Sequence, residues 1–419
     1  MSDRTKKILL IIAFVVVVLL IGFLLYYLFF SQLVPVTPPL TNEALPPTNG
    51  FPQANQNLNL ITLPTNQPVN LNVPLPAINQ PGIIPGPVIS DIASGGLTSY
   101  NILETNSVTS PALASNGQDL VYLDKSDGFI YRLVPETGQK QKFTSQSFNN
   151  VQDIVWSGNM DKAVFEFPDG GNILYDFKQN KSFTLPSQWK DFSFSPDSSQ
   201  IVFKNMMLDP EDRYIGTADT NGSNYKDIEA LGDKDADVFI DWSPNNKYIA
   251  LYREGLDASR SAIYPIGLNA ENFVSLTVEG RDPHYIYSPS GNVLLYSVFN
   301  SSSDFNPMLW FVSTDPTSLG AGRRSLGLKT WADKCVFATE AIVYCAVPRT
   351  LDVGTGYIPS LADNTPDDFY RVNLATANKS LIAQPIFSTT VDKLFVSADQ
   401  SSLSWIEKGT GQLKELNLK

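Results

Sequence analysis

The sequence contains almost no cysteine or histidine, and this limits the chemistry it can support. Its 419 residues include two cysteines and a single histidine, His284. Two cysteines are too few for a disulfide framework or a four-cysteine zinc site. Serine–histidine catalysis would depend entirely on His284, which has no recognisable partner, so we interpret it as a hydrogen-bonded structural residue.

Motifs of common enzymes and metal sites are also missing. No G-x-S-x-G motif occurs, which argues against a serine hydrolase domain. Asp233, Asp235 and Asp237 alternate, but the glycine and distal glutamate of a calcium loop are absent. We interpret these three as a solvated acidic loop. The sequence therefore predicts no catalytic residue, no metal site and no cofactor.

Positive charge is scarce, which argues against nucleic acid as a partner. The sequence has 30 Lys and Arg residues and 42 Asp and Glu residues, which gives a formal net charge of −12. No basic stripe with interleaved aromatic residues appears, and an acidic surface repels phosphate backbones.

One long apolar run lies near the N terminus. Residues 8–30 form 23 consecutive uncharged, mostly aliphatic positions, enough to cross a bilayer as a helix. The run is longer than the core of a cleaved signal peptide and lacks a small-residue cleavage site, so we predict an uncleaved anchor. Basic residues occur before the run but not again until Lys125, which places residues 1–7 in the cytoplasm and the C-terminal part outside the cell membrane.

The next segment, residues 31–95, is rich in proline and asparagine. It contains 13 prolines and almost no charged or aromatic side chains. Such a composition buries too little apolar surface to offset the entropy of ordering, so we predict a disordered, semi-rigid stalk. A cell-wall-spanning or self-associating tract is the alternative.

Residues 96–419 contain a repeated strand–turn–strand pattern and no amphipathic helix of normal length. The residues at the turn recur roughly every 40–60 positions, at Ser115, Ser157, Ser195, Ser243, Ser288, Ala338 and Ser397. This spacing predicts an all-β, seven-bladed β-propeller, with six or eight blades as alternatives. The last repeat is one strand short, so residues 98–105 are predicted to supply its outer strand and close the ring.

The repeat resembles the TolB-type family of WD40-like repeats. The resemblance is carried by Phe194-Ser195-Pro196-Asp197, Trp242-Ser243-Pro244-Asn245 and Tyr287-Ser288-Pro289-Ser290-Gly291. It implies a β-propeller fold. The periplasmic protein that names the family has an α/β domain before its propeller, whereas this chain has an apolar run and a proline-rich stalk, so the resemblance does not imply a role in the Tol system.

The two cysteines lie on consecutive strands of the sixth repeat. Cys335 and Cys345 are symmetric about Glu340, at the tip of the predicted hairpin. A symmetric register would place them opposite each other, and an exported domain meets oxidising conditions. We predict a disulfide; two buried thiols are the alternative.

The loops between second and third strands lengthen in the third to sixth repeats, at residues 205–212, 254–260, 299–306 and 347–368. Elaborated loops on one face of a rigid scaffold are where binding residues concentrate. The predicted binding residues are Met206, Met207, Asp209, Asp212, Asp257, Asp304, Phe305, Asp352, Tyr357, Asp363, Asp367 and Asp368. Drift in unconstrained loops is the alternative.

These observations lead to a functional prediction. We expect a membrane-anchored, extracytoplasmic scaffold that binds a protein, peptide or glycan through the acidic loops and is not an enzyme. The alternative is an envelope polysaccharide hydrolase or lyase that uses paired carboxylates in the central channel.

Overall fold

The computed structural model describes residues 17–21, 89–269, 271 and 273–419. Residues 17–21 are helical, and all described strands lie within the unit formed by residues 81–419. The predicted anchor at 8–30 and stalk at 31–95 lie outside the described residues, apart from 17–21 and 89–95. None of the described helices combines the length and apolarity that a membrane span requires.

The described strands, numbered β1–β29 in chain order, form seven separate sheets, which are the blades of a β-propeller. The predicted fold is confirmed, with seven blades rather than six or eight. First strands of neighbouring blades contact each other from blade 1 to blade 4 and between blades 6 and 7, so these strands are innermost and line the central channel of the propeller. These innermost strands are β3 (Val108–Leu113), β7 (Asp153–Trp156), β11 (Trp189–Phe194), β15 (Val238–Ile240), β19 (Arg281–Tyr287), β23 (Cys335–Phe337) and β27 (Val391–Val396).

Each blade continues outward through antiparallel strands. The second strands are β4 (Leu120–Asp124), β8 (Lys162–Glu166), β12 (Gln200–Asn205), β16 (Ala250–Gly255), β20 (Val293–Phe299), β24 (Ile342–Pro348) and β28 (Ser402–Glu407). The third strands are β5 (Phe129–Val134), β9 (Asn172–Asp176), β13 (Tyr214–Asp219), β17 (Ser261–Ile266), β21 (Met308–Ser313), β25 (Asp367–Asn373) and β29 (Leu413–Asn417).

A fourth strand follows in each blade. The fourth strands are β6 (Gln139–Ser147), β10 (Lys181–Leu185), β14 (Lys226–Ala230), β18 (Leu276–Val278), β22 (Arg324–Ser325) and β26 (Asn378–Pro385), with β2 (Asn101–Glu104) in blade 7. Five 3₁₀ helices lie in the described connections, at Pro210–Asp212, Asp235–Asp237, Ser301–Ser303, Ala332–Lys334 and Pro359–Ala362.

The repeated serine has a structural role in the turn between first and second strands. The hydroxyl of Ser243 accepts a hydrogen bond from the amide of Tyr248 at 2.8 Å, and Ser195 and Ser397 accept equivalent bonds at 3.0 Å. The residue three positions after the serine has a positive φ in five blades, at Met160, Ser198, Asn246, Gly291 and Gln400. The serine therefore recurs because its side chain satisfies the backbone of a tight turn.

The hydrophobic core is distributed between adjacent blades. Val164 and Leu174 of blade 2, for example, pack in one buried cluster with Phe194 and Phe203 of blade 3. Each sheet is covered on both faces by its neighbours, which explains why the second strands are almost continuously apolar.

The ring closes through its N-terminal segment, as predicted. Strand β2 pairs antiparallel with β29, with Asn101 opposite Glu415. The carboxylate of Glu104 then accepts hydrogen bonds from the Tyr122 hydroxyl (2.8 Å) and Lys140 (2.6 Å) of blade 1. The sequence did not predict β1 (Gly96–Thr98), which adds a parallel fifth strand to blade 6 by pairing with β26.

Cys335 and Cys345 lie directly opposite each other on β23 and β24. Both are buried, and a disulfide joins them with an S–S distance of 2.15 Å. The bond connects the channel-lining strand of blade 6 to the next strand outward.

Candidate functional site

The loops between second and third strands lie on one face of the ring because alternate connections of antiparallel strands emerge at opposite ends. We call the loops 206–213, 256–260, 300–307 and 349–366 of blades 3 to 6 the loop face. Ten of the twelve predicted binding residues lie within it, and the other two begin strand β25.

Asp367 and Asp368 are a correction to the predicted site. They lie in β25 rather than in the loop, and both are buried. Asp367 accepts hydrogen bonds from Lys334 (2.7 and 2.8 Å), whereas Asp368 pairs with Arg349 at 2.7 Å. Their carboxylates are used inside the propeller and have little surface with which to contact a partner.

Four carboxylates within the loops are also engaged within the protein. Asp209 caps the helix Pro210–Asp212, and Asp257 pairs with Arg260 at 2.7 Å. Asp304 binds Lys329 at 2.9 Å and Asp363 binds Lys408 at 2.6 Å. Asp212 and Asp352 are exposed without an ion pair among the described residues. The acidic side chains therefore mainly hold the loops in place.

The loop face exposes many large apolar side chains. Thirteen large apolar side chains among residues 89–419 are exposed, and seven of them lie in these loops. The seven are Met207, Leu208, Leu256, Val353, Tyr357, Ile358 and Leu361. Leu208 is 96% exposed and Val353 is 75% exposed, although burial of such side chains is the usual outcome of folding.

The loop of blade 6 is packed onto the loop of blade 5. The amides of Gly354 and Gly356 donate to the carbonyls of Asp304 (2.9 Å) and Phe305 (2.8 Å). The Tyr357 ring lies 4.5 Å from the ring centroid of Phe299 and 5.5 Å from that of Phe305. A Cβ at Gly356 would approach the Phe299 ring to 2.5 Å, so this close contact depends on glycine.

The structure thus brings together Phe305 and Tyr357, which the sequence predicted separately. Met206 is half-buried and packs into the core between blades 3 and 4. Met207, Asp209 and Asp212 belong to the blade 3 loop, which does not line the cavity described next.

A cavity of about 310 Å³ lies between strands of blades 4 and 5 and the loop of blade 6. It is lined by Asp237, Arg253, Glu254, Gly255, Ser261, Arg281, Asp282, Pro283, Phe299, Gly356 and Tyr357. The exposed Arg281 donates to the carbonyl of Asp257 at 3.0 Å. Arg281 was not predicted because it lies on an inner strand, whereas the predicted binding residues come from the long loops.

Beside this cavity, His284 lies between two carboxylates. Its Nδ1 is 2.6 Å from Asp333 and its Nε2 is 3.4 Å from Asp282, which also pairs with Arg253. Burial alone lowers the pKa of His284, but the hydrogen bonds to Asp282 and Asp333 prevail and raise it to about 9. Hydrogen bonding to His284 in turn lowers the pKa of Asp282. The imidazole is therefore charged at neutral pH and is a poor general base.

Two carboxyl groups near the channel keep protons close to neutral pH. Burial and the nearby charges of Asp153 and Asp191 raise the pKa of Glu166 to about 7. Burial also raises the pKa of Asp241 to about 7. These are the carboxyl groups with the properties of a general acid.

The predicted acidic loop is used in ion pairs. Asp235 binds Arg213 at 3.0 Å, and Asp237 lies 3.6 Å from Arg253. Within the part of the chain that the structure describes, no three His, Cys, Asp or Glu side chains are grouped to hold a metal ion.

Met207 and Tyr357 are among the predicted binding residues, but the other five exposed apolar residues of the loop face were not predicted. Leu208, Leu256 and Val353 stand within polar loops where turn formation does not require them. Most of the predicted binding residues are acidic, but carboxylates readily find partners within a fold.

Comparison with known proteins supports the fold. No protein-family profile and no curated protein matches the chain. The structure is similar to an oligogalacturonate lyase in complex with manganese, with a TM-score of 0.53 and 14% identity over 78% of this chain and 99% of that chain. It is also similar to the β-propeller domain of Cps50 (Swd1) from Myceliophteria thermophila, with a TM-score of 0.51 and 12% identity over 76% of this chain and 100% of that one.

TolB from Acinetobacter baumannii is matched less well, with a TM-score of 0.37 and 18% identity over 51% of this chain and 53% of that one. Identities this low show the fold alone and do not show membership of the TolB-type family. The structure and the comparisons together establish a seven-bladed β-propeller.

Proposed function

We propose that this protein is a membrane-anchored, extracytoplasmic scaffold without catalytic activity, and that it docks another protein on its loop face. The observation that carries the proposal is the concentration of exposed apolar side chains there, seven of the thirteen in residues 89–419. Exposed apolar patches on soluble domains mark interaction surfaces.

The energetics favour apolar docking. Fully burying a side chain such as Leu or Ile contributes about 1.5–3 kcal/mol. Leu208, Leu256, Ile358 and Leu361 are each exposed by 45% or more, so a partner that covers them gains much of this energy. Tyr357 adds an aromatic ring of the kind that dominates interface energies.

The loops are held ready for binding. Hydrogen bonds attach Gly354 and Gly356 to the blade 5 loop, and Lys408 ties Asp363 to blade 7. A surface that is ordered before binding loses less entropy when the complex forms. In this proposal the acidic residues position the loops, and the apolar residues contact the partner.

The proposed location rests on the N-terminal sequence and the cysteines. The 23-residue apolar run follows Arg4, Lys6 and Lys7 and precedes a segment without basic residues, which supports export of the propeller. The disulfide between Cys335 and Cys345 suits an oxidising compartment.

A second candidate is the polysaccharide hydrolase or lyase. It is favoured by the raised pKa values of Glu166 and Asp241, because a carboxyl group that keeps its proton near pH 7 can act as a general acid. Release of sugar fragments from envelope polysaccharide by the wild-type protein, with loss of that activity in Glu166→Gln, would establish the enzyme instead.

The proposal is tested by photocrosslinking in the native membrane. A benzophenone side chain is introduced at position 357 or 361 of the full chain, and as a control at the exposed turn positions 116 or 246 on the opposite face. We expect the crosslinkers at positions 357 and 361 to capture the same protein. The control positions should not capture that protein.

The matched variant is Leu361→Asp in the chain that carries the crosslinker at 357. It should abolish the crosslink, since a charge then faces the apolar partner, while Asp212→Asn should leave it unchanged. Crosslinks from all four positions, or crosslinks indifferent to Leu361→Asp, would refute docking on the loop face.

A further inference from the structure

We infer that the 310 Å³ cavity between Arg281 and Tyr357 receives the C-terminal residue of the docked protein, with its carboxylate on Arg281 and an apolar side chain against Phe299 and Tyr357. This inference rests on the proposed function and names the chemical group that its loop face recognises.

The cavity is part of the loop face yet is built mainly on strands. Arg281 and Phe299 belong to β19 and β20 of blade 5, and Gly255 ends β16 of blade 4. Gly356 and Tyr357 come from a loop, and Asp237 ends the 3₁₀ helix Asp235–Asp237. At about 310 Å³ the cavity is at the small end of ligand sites, which suits one amino-acid residue.

Arg281 is the cationic group in this cavity that no carboxylate neutralises. The second arginine, Arg253, pairs with Asp282 and lies 3.6 Å from Asp237. Arg281 instead donates to the backbone carbonyl of Asp257 and forms no ion pair with any carboxylate in residues 89–269 or 273–419. A guanidinium held by one edge presents its remaining donors to a ligand carboxylate.

Most of the negative charges near Arg281 are paired with cations. The Asp257 carboxylate pairs with Arg260, and Asp282 lies between Arg253 and His284. His284 is charged at neutral pH because hydrogen bonds to Asp282 and Asp333 raise its pKa. Of the carboxylates that line the cavity, Glu254 alone has no ion pair among the described residues, and it accepts a hydrogen bond from the Tyr264 hydroxyl at 3.2 Å.

The opposite wall of the cavity is apolar. The ring centroids of Phe299 and Tyr357 are 4.5 Å apart, and both residues line the cavity. A ligand that matches both walls carries a carboxylate next to an apolar group. A C-terminal residue such as leucine has this arrangement, whereas the carboxylate of an internal Asp has no apolar side chain on the same residue.

The surroundings favour a protein over a uronate sugar. Leu256 and Ile358, on the adjoining loops, expose apolar side chains, which suit a protein surface and leave sugar hydroxyls without partners.

The experiment uses ligand-observed saturation-transfer NMR on the full chain in detergent micelles. The probes are N-acetyl-L-leucine, its amide, N-acetyl-L-aspartic acid amide and galacturonic acid, each at millimolar concentration. We expect N-acetyl-L-leucine to bind about tenfold or more tightly than the amide, because only the acid forms a charge-assisted bond with Arg281.

The variants are Arg281→Ala, Arg281→Lys and, as a matched control, Arg324→Ala on the outer strand of blade 5. The first should abolish acid binding, the second should weaken it, and the control should match wild type. Three outcomes would overturn the inference. They are equal binding of the acid and the amide, no binding of N-acetyl-L-leucine to wild type, and unchanged binding of the acid by Arg281→Lys and Arg281→Ala. Preferential binding of the aspartic acid amide or galacturonic acid would overturn it in favour of a side-chain or sugar carboxylate.

The crosslinking assay separates this inference from the proposed function. Loss of the crosslink from position 357 in Leu361→Asp, with retention in Arg281→Ala of the crosslink from position 361, where Tyr357 is intact, would refute the carboxylate pocket and leave protein docking intact. Crosslinks lost in both variants support both proposals.

Discussion

Lys334 and Asp367 form a buried ion pair in blade 6, with the lysine Nζ 2.7 and 2.8 Å from the two carboxylate oxygens. The same carboxylate accepts a hydrogen bond from the amide of Val391, the first residue of the channel-lining strand of blade 7, at 2.7 Å. Because Asp367 directly follows the long blade 6 loop, this contact anchors that loop to two blades.

Burial lowers the pKa of Lys334 and raises the pKa of Asp367, while their mutual attraction opposes both shifts. Desolvation therefore offsets much of the attraction. Asp367→Ala leaves the lysine buried without a partner and should cost about 3–5 kcal/mol, measured by urea unfolding. The double variant Lys334→Met/Asp367→Leu should recover most of the loss. A double variant as unstable as the single one would contradict this account.

Ring closure predicts a strong effect of N-terminal truncation. A chain that begins at residue 107 lacks β2, so β29 has an unpaired edge and Tyr122 and Lys140 lose the Glu104 carboxylate. We expect a loss of about 3 kcal/mol or more and greater aggregation, because hydrogen bonds and an edge are both left open. Thermal unfolding and light scattering measure these effects.

The control is a chain that begins at residue 99, which lacks only β1. It should lose less stability than the chain that begins at 107, since blade 6 retains four strands. Equal stability of the two chains would show that β2 does not close the ring.

The pKa of His284 predicts how stability depends on pH. Its folded-state value of about 9 is raised above the ordinary 6.5. The stabilising contribution is therefore complete below pH 6.5 and is lost as the pH rises through 9. Wild-type Tm should fall more steeply between pH 6.5 and 9 than the Tm of His284→Gln. Parallel profiles for the two proteins would be inconsistent with a charged His284.

The disulfide predicts a redox-dependent stability. Cys335 and Cys345 are ten residues apart, and a closed loop of this size contributes about 2–3 kcal/mol in the chain-entropy model. The variant Cys335→Ala/Cys345→Ala should lose this amount and become insensitive to reductant. Alkylation of the denatured, unreduced protein should find no free thiol; two free thiols in protein from its native source would contradict the pairing.

Much of the fold could be predicted because its determinants are local. The turn serines, the left-handed position three residues later and the alternating strands all act within about ten residues, so the repeat appears directly in the sequence. Counting strands then showed that blade 7 was incomplete, and residues 98–105 were the available segment. Strand β1 was missed because three residues, Gly96–Thr98, carry no periodicity.

The candidate site was predicted less well because its determinants are long-range. Asp367 follows the longest loop and looks exposed in the sequence, but its partners are Lys334 and Val391, which lie 33 and 24 residues away in the chain. Likewise, nothing near Arg281 indicates that Tyr357, from the next blade, forms the opposite wall of its cavity.

The sequence by itself determined that the chain builds a propeller, where the turns fall and which strand closes the ring, since these depend on local hydrogen bonding and on a repeated apolar pattern. Only the tertiary structure decided which carboxylates form ion pairs and which apolar side chains remain exposed. Burial and charge pairing depend on distances between blades, and those distances exist only once the ring has formed.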